Sequence, residues 1–197
     1  MTRVIGGQGR GRRLESPAGD ETRPTGARVR QTLFDILAPV IPGSRFLDLC
    51  AGGGGVGLEA LSRGASRVVL VDRSAGAVEA IRANAEALSG LGGDVQVFRQ
   101  EAPAAVAALA SAGQRFDVVF LDPPYESDLY EPLLEKAGER LLAEEGVVAA
   151  EHFHKRALPE RIGRLVRVRS VRIGDHRLSF YRRDQEAKRP STRGVME

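Results

Sequence analysis

Between positions 45 and 150, apolar residues switch repeatedly between two periods. Short apolar runs at 45–49, 67–71, 95–98, 116–121 and 146–150 read as strands. Val68 to Val71 has no polar face at all, the pattern of a strand buried on both sides of a parallel sheet. Helical spacing fills the intervals. One helix is expected at 56–63, and another starts from a Ser74 cap with Val78, Ile81, Ala85 and Leu88 on one face. Two more are expected at 103–110 and 129–142. Strands alternating with helices predict an α/β fold, a mostly parallel sheet with helices on both faces. Right-handed crossovers then bring the loops after Leu49, Val71, Phe98 and Leu121 to one edge, where ligands of such sheets bind.

The two ends follow other rules. Val4 and Ile5, the turn Gly6-Gly7-Gln8-Gly9, and residues 10–14 predict a small β-hairpin. A polar loop at 16–23 follows, and Pro24-Thr25 opens a helix with Val29, Leu33, Phe34, Ile36 and Leu37 on one face. Arg28 and Arg30 are expected to point away from much of that face. Near the other end, 165–173 and 178–183 predict antiparallel strands joined through Gly174-Asp175-His176. Val166 and Val168 alternate with Arg167 and Arg169, but Val171 and Ile173 share parity with the arginines, so a bulge is expected near Ser170. The count is seven strands in a Rossmann-like sheet. The expected division is a hairpin-plus-helix extension at 1–40, a main domain at 41–183 and a disordered tail at 184–197.

Composition narrows this picture. An apolar share of 42 % over 197 residues is enough for a real core in one main domain. The single cysteine, Cys50, excludes an intramolecular disulfide and a cysteine zinc cage, and three scattered histidines do not make a metal site. There is no apolar leader at the start and no membrane-length apolar run, so the cytoplasm is the expected compartment. Net charge is only +3, but basic residues crowd the first thirty positions and 155–183 around a balanced middle. Such ends suit a polyanion, or simply keep two short segments soluble.

Asp48-Leu49-Cys50-Ala51-Gly52-Gly53-Gly54-Gly55-Val56-Gly57 lies between a strand and a helix and contains G-x-G-x-x-G at Gly52, Gly54 and Gly57. The pattern suits NAD, the adenosyl part of S-adenosylmethionine, or merely a tight turn. Asp48, at the mouth of the loop, would repel a pyrophosphate and suits a ligand carrying an ammonium and a sulfonium; it is otherwise a buried turn cap. Asp72 ends the second strand, where a carboxylate meets ribose hydroxyls. Glu101, or the backbone at Ala102, ends the third strand near an adenine edge. Cys50, Ala51, Gly52, Gly54 and Arg73 complete the expected cofactor site.

Asp122-Pro123-Pro124-Tyr125 follows the fourth strand directly. An amino nitrogen conjugated with a ring is a poor nucleophile until its lone pair is redirected. A carboxylate and a prolyl carbonyl can hold its hydrogens, the prolines keep those acceptors rigid, and Tyr125 can stack on a base drawn out of its helix. The bland alternative is a rigid solvent turn.

RVIGGQGRGRRL, RPTGARVRQTLFDIL, DLCAGGGGVGLEALSRGA, DPPY and GDHRLSFY together resemble the RsmD-type family of bacterial 16S ribosomal RNA guanine-N2 methyltransferases, which have the class I methyltransferase fold. The resemblance implies S-adenosylmethionine as cofactor and ribosomal RNA of the small subunit as partner, with no metal and no membrane. It places Arg10, Arg12, Arg13, Arg23, Arg28 and Arg30 on the RNA, and Asp48, Gly52, Gly54 and Asp72 at the methyl donor. Four rivals stay open: methylation of DNA adenine, methylation of a protein glutamine amide, a non-catalytic ribosome-assembly factor, and an NAD-dependent oxidoreductase.

Overall fold

The computed structural model describes residues 2–17 and 25–184. The expected tail from 185 onward and most of the polar loop, with Arg23, lie outside the described residues. A two-stranded antiparallel hairpin, β1 (Thr2–Arg3) and β2 (Arg13–Leu14), precedes helix α1 (Ala27–Leu37). Five parallel strands follow: β3 (Arg45–Leu49), β4 (Arg67–Asp72), β5 (Asp94–Arg99), β6 (Phe116–Leu121) and β7 (Leu142–Phe153). Helices α2 (Gly55–Ser62), α3 (Ala75–Ala87), α4 (Ala102–Ser111) and α5 (Tyr130–Arg140) connect them. Then come β8 (Arg161–Ile162), β9 (Leu165–Ile173) and β10 (His176–Arg183), all antiparallel to their neighbours.

The sheet order is β5-β4-β3-β6-β7-β10-β9-β8. This is the class I methyltransferase arrangement, with one strand more than the seven expected. The addition is β8, a two-residue edge strand too short to leave a period in the sequence. The order reverses direction at β3, which lies between β4 and β6, and the crevice of such a sheet opens at that switch.

Alternate residues of the parallel strands feed two cores. Phe46, Val68, Leu70, Val118 and Phe120 pack under α1 and α2, while Leu47, Val69, Val71, Val119 and Leu121 pack against α4 and α5. That double burial explains the unbroken apolar run in β4. Val4 and Leu14 of the hairpin and Val29, Leu33, Phe34 and Leu37 of α1 join the first core, so the described part of 1–40 shares its core with the sheet. Phe34 stacks on Phe46 at 6.3 Å between ring centres. Truncating a ring buried this way to alanine costs about 3–5 kcal/mol.

The bulge in β9 exists but sits earlier than expected. Tyr181 pairs with Arg167 and Phe180 with Arg169, which leaves Val168 as the extra residue, 56 % exposed. Turning Val168 out brings Val171 and Ile173 back onto the core face beside Leu178 and His176.

Candidate active site

The glycine loop is held by carboxylates from two strand ends. The chain leaves β3 through Cys50, a non-glycine residue at φ 65°, and passes Gly52 at φ 55° and Gly54 at φ 79°. Ala51 N–H donates to Val71 O at 2.9 Å. Asp72 accepts from Gly52 N at 2.8 Å and from Ser74 N at 2.9 Å, while Asp48 Oδ2 accepts from Gly57 N at 2.8 Å. A Cβ on Gly57 would meet the Leu70 side chain at 2.8 Å, so only glycine lets α2 come close enough for that last bond. The capping role is thus real for Asp48, and Asp72 caps as well. Both side chains also line a cavity of about 750 Å³ at the switch point.

Twelve of the thirteen catalytic and cofactor positions expected from the sequence line that cavity: Asp48, Cys50, Ala51, Gly52, Asp72, Arg73, Glu101, Ala102 and the turn from Asp122 to Tyr125. Gly54 does not. It is buried behind the loop, where a Cβ would touch Ile81, Leu58 and Leu70 at 3.2 Å, so its positive φ and tight packing, not a ligand, require glycine. Over Gly52, by contrast, nothing lies within 4 Å of a Cβ position.

The cavity is acidic. Glu15, Asp48, Asp72, Glu101 and Asp122 line it against Arg73 as the sole Lys or Arg among the described residues, and Arg73 lies 3.9 Å from Glu101. Burial pushes Asp48 up to about 8 despite the Gly57 amide, with Asp122 and Asp72 adding repulsion. Burial, with the same carboxylates adding to it, pushes the Cys50 thiol up to about 12, so it stays protonated at neutral pH.

The Asp122 turn is braced from beneath. Tyr130, the first residue of α5, donates its hydroxyl to Pro123 O at 2.9 Å, and Ser127 N–H donates to Pro124 O at 2.9 Å. Each prolyl oxygen keeps a second lone pair. Asp122 accepts from Thr25 Oγ1 at 3.3 Å. Helix α1 starts at Ala27 without a side-chain cap because its N-cap position is Gly26. Burial and the nearby Glu151 raise Asp122 well above the ordinary carboxylate range. Tyr125 is 39 % exposed, a large aromatic face at the rim, and its hydroxyl lies 3.0 Å from His176 Nδ1.

The six arginines expected on RNA separate. Arg10, Arg13 and Arg28 are exposed; Arg12 is exposed too, with its guanidinium on Ala87 O at the end of α3. Arg30 is a correction. It is 2 % exposed, donates to Gly55 O at 3.2 Å and Arg3 O at 2.9 Å, and lies 4.0 Å from Glu59, so no surface is left for a phosphate.

Several site-building residues have no motif. Glu59 in α2, fully buried, accepts from Ile5 N at 2.8 Å and Gly6 N at 2.7 Å and seats the hairpin. Asn84 bridges Glu15 to Gly53, tying the N-terminal segment over the glycine loop. Both are polar residues on the inner face of a helix, a signal that α2 and α3 do carry. His152 is buried, bonded to Ser179 Oγ at 2.9 Å and lowered by burial to about 4; it is a neutral core histidine. No helix among the described residues is long and apolar enough to cross a membrane.

The family described as Conserved hypothetical protein 95 matches residues 2–182. A Bacillus subtilis protein named "Putative rRNA methyltransferase YlbH" is 39% identical over 182 residues, 92% of this chain and 98% of its own length. The Escherichia coli Ribosomal RNA small subunit methyltransferase D is 39% identical over 160 residues, 80% of this chain and 77% of its own. A solved structure of a hypothetical protein from Thermus thermophilus superposes with a TM-score of 0.78 at 32% identity, covering 91% of this chain and 98% of that one. By motif, sheet order and match over nearly its whole length, this chain belongs to the Conserved hypothetical protein 95 family, which is the RsmD-type family that its sequence resembles.

Proposed function

We propose that the chain transfers a methyl group from S-adenosylmethionine to the exocyclic N2 of a guanine in small-subunit ribosomal RNA, in the cytoplasm. The observation that carries this reading is the placement of the Asp122–Tyr125 turn and the glycine loop on the walls of one acidic cavity. Glu15, Asp72 and Glu101 against one arginine oppose the pyrophosphate of NAD, and Asp48 and Asp122, which an arriving cation favours in their ionised forms, suit a ligand bearing an ammonium and a sulfonium. The open space over Gly52 and the carboxylates at two strand ends fit that ligand. The names of the relatives supply methylation and ribosomal RNA of the small subunit.

In this reading Asp48 faces the amino-acid end of the donor, Asp72 the ribose, and Glu101 with Ala102 the adenine. Bound, the donor supplies a methyl group on a positively charged sulfur that leaves as a neutral thioether. Asp122 and the free lone pair of Pro123 O accept the two amino hydrogens and turn the nitrogen lone pair toward the methyl group. Tyr125 stacks on the flipped base, and Tyr130 keeps the prolyl acceptor from retreating. One amino proton leaves as the N–C bond forms.

The test is labelled methyl transfer to unmodified small subunits, large subunits, naked RNA, DNA and a glutamine peptide, followed by product analysis. N2-methylguanosine from small subunits alone is expected, with Asp122→Ala losing transfer by about a thousandfold while still binding S-adenosylhomocysteine. Methyladenine in DNA, or methylglutamine, would replace this reading with another amino methyltransferase.

A further inference from the structure

Glu151, buried near the end of β7, has no part in the methyl transfer described so far, yet it is placed beside the central carboxylate. Leu121 pairs with Ala150 across β6 and β7 and both face the α4–α5 core, so Asp122 and Glu151 follow side by side on the opposite, α1 face. The Thr25 hydroxyl donates to Asp122 at 3.3 Å and lies close enough to Glu151 to favour its ionised form, against the burial that raises it. Glu151 is 1 % exposed; its Oε1 lies 2.7 Å from His176 Nδ1, and its Oε2 is buried without a partner among the described residues. The His176 side chain, 23% exposed, opens this row to solvent at the β9–β10 turn. Asp122, Thr25, Glu151 and His176 therefore form one row of polar groups from the cavity to water, hydrogen-bonded at its two ends by Thr25 to Asp122 and by Glu151 to His176.

We propose that Asp122 and Glu151 work as a single carboxyl pair that holds one proton between them, with Glu151 a positioning residue and His176 the outlet for the pair's proton. This rests on the methyl-transfer reading and deepens it. Two ionised carboxylates side by side repel each other, and the buried Glu151 oxygen without a donor disfavours ionisation further. The environment agrees: burial raises Glu151 to about 7, with Asp48 adding to it, and Asp122 is raised by burial and by Glu151. The remaining polar groups around the pair are Tyr125 and Tyr130 from the turn and α5, Arg156 over the Tyr130 ring at 4.5 Å, and His154 with Asp175 beside His176.

The chemistry follows from where that proton rests. With the proton on Glu151, Asp122 is an ionised acceptor of unusually high proton affinity, which is what an amino group about to lose a proton requires. As the N–C bond forms, one N–H proton passes to Asp122. The pair then carries two protons, and the one on Glu151 leaves to His176 Nδ1 and from the exposed ring to water. Thr25 can accept from one carboxyl and donate to the other, so it joins the two without a charge of its own.

The experiment is carboxyl carbon NMR of the full chain through a pH titration, for wild type, Glu151→Gln and Asp122→Asn, beside single-turnover methyl transfer by wild type and Glu151→Gln. In wild type the two carboxyls should move together in a shared step near neutrality. In Glu151→Gln the Asp122 midpoint should fall by about one pH unit or more, and the acid limb of methyl transfer should move to lower pH with it. An unmoved Asp122 midpoint, or a wild type with both carboxyls ionised at about pH 5, would overturn the pair. If Glu151→Gln does not fold, the wild-type titration decides alone. A wild type that shows the shared step but methylates no RNA sinks the methyl-transfer reading and leaves the pair standing; one that methylates without it sinks only the pair.

Discussion

The Asp48 carboxylate holds the Gly57 amide and at the same time faces a cavity lined by other acids. Burial keeps it protonated up to about 8. A cation arriving in the cavity favours the ionised form, so the bound value must lie below the free one. Between the two, binding of S-adenosylhomocysteine, which keeps the ammonium, should release a proton near neutral pH. Calorimetry in buffers of different ionisation enthalpy measures this, and Asp48→Asn should abolish the release. Single residues were legible in the sequence where a motif or a strand end marks them, as with Asp48, Asp72 and Asp122. Glu151 and His176 were not, because their partners come from strands paired far apart in the chain, at separations of 29 and 25 residues between 122, 151 and 176. Arg30 looked like its basic neighbours because the hairpin and α2, distant in the sequence, are what bury it.

At the scale of elements, the hairpin is legible as a Gly-rich turn, but not its seat. A Cβ on Gly7 would fall 1.9 Å from Ser62 O, so this glycine serves close packing on α2, while one on Gly9 would meet Leu91 at 2.9 Å and Ser62 Oγ at 3.1 Å. Arg10, Arg13 and Arg28 remain on the outer side. Replacing these three by alanine should weaken RNA binding and lower the salt slope by about 0.7–0.9 for each phosphate no longer neutralised, with the fold retained. Arg30→Ala should act differently. It leaves the Gly55 and Arg3 carbonyls without their donor and Glu59 with less compensation, and the melting temperature should fall. Filter binding over a salt series, read beside melting curves, separates the two classes. The bulge at Val168 was legible as a phase error in β9, though not its position, which the pairing with β10 sets.

Taken whole, the molecule concentrates raised carboxyls at one sheet edge. For Asp48, Asp122 and Glu151 the folded value lies above the unfolded one, so the folded chain binds more protons between them. Their contribution is fully present below the unfolded value near 4 and is lost as pH rises through the folded values near 7 to 8. Without ligand, the melting temperature should therefore fall from about pH 5 to about pH 8.5, and Asp122→Asn should flatten the fall and raise stability at the alkaline end. Scanning calorimetry across that range checks both. Fold class was readable because alternating periods dictate a parallel sheet; the eighth strand was not, having two residues and no period.

Helix α2 is eight residues long, about 12 Å, and its two ends have different employers. Its first residues carry the glycine loop, while Glu59, Ser62 and Arg63 near its last turn clasp the hairpin. Under the proposed function, a polynucleotide docked on the N-terminal arm and a methyl donor on the glycine loop would share this one short helix as their support. Glu59→Gln is then expected to weaken binding of RNA and of S-adenosylhomocysteine together, although Glu59 touches neither, and titrations of the two ligands against the variant check it.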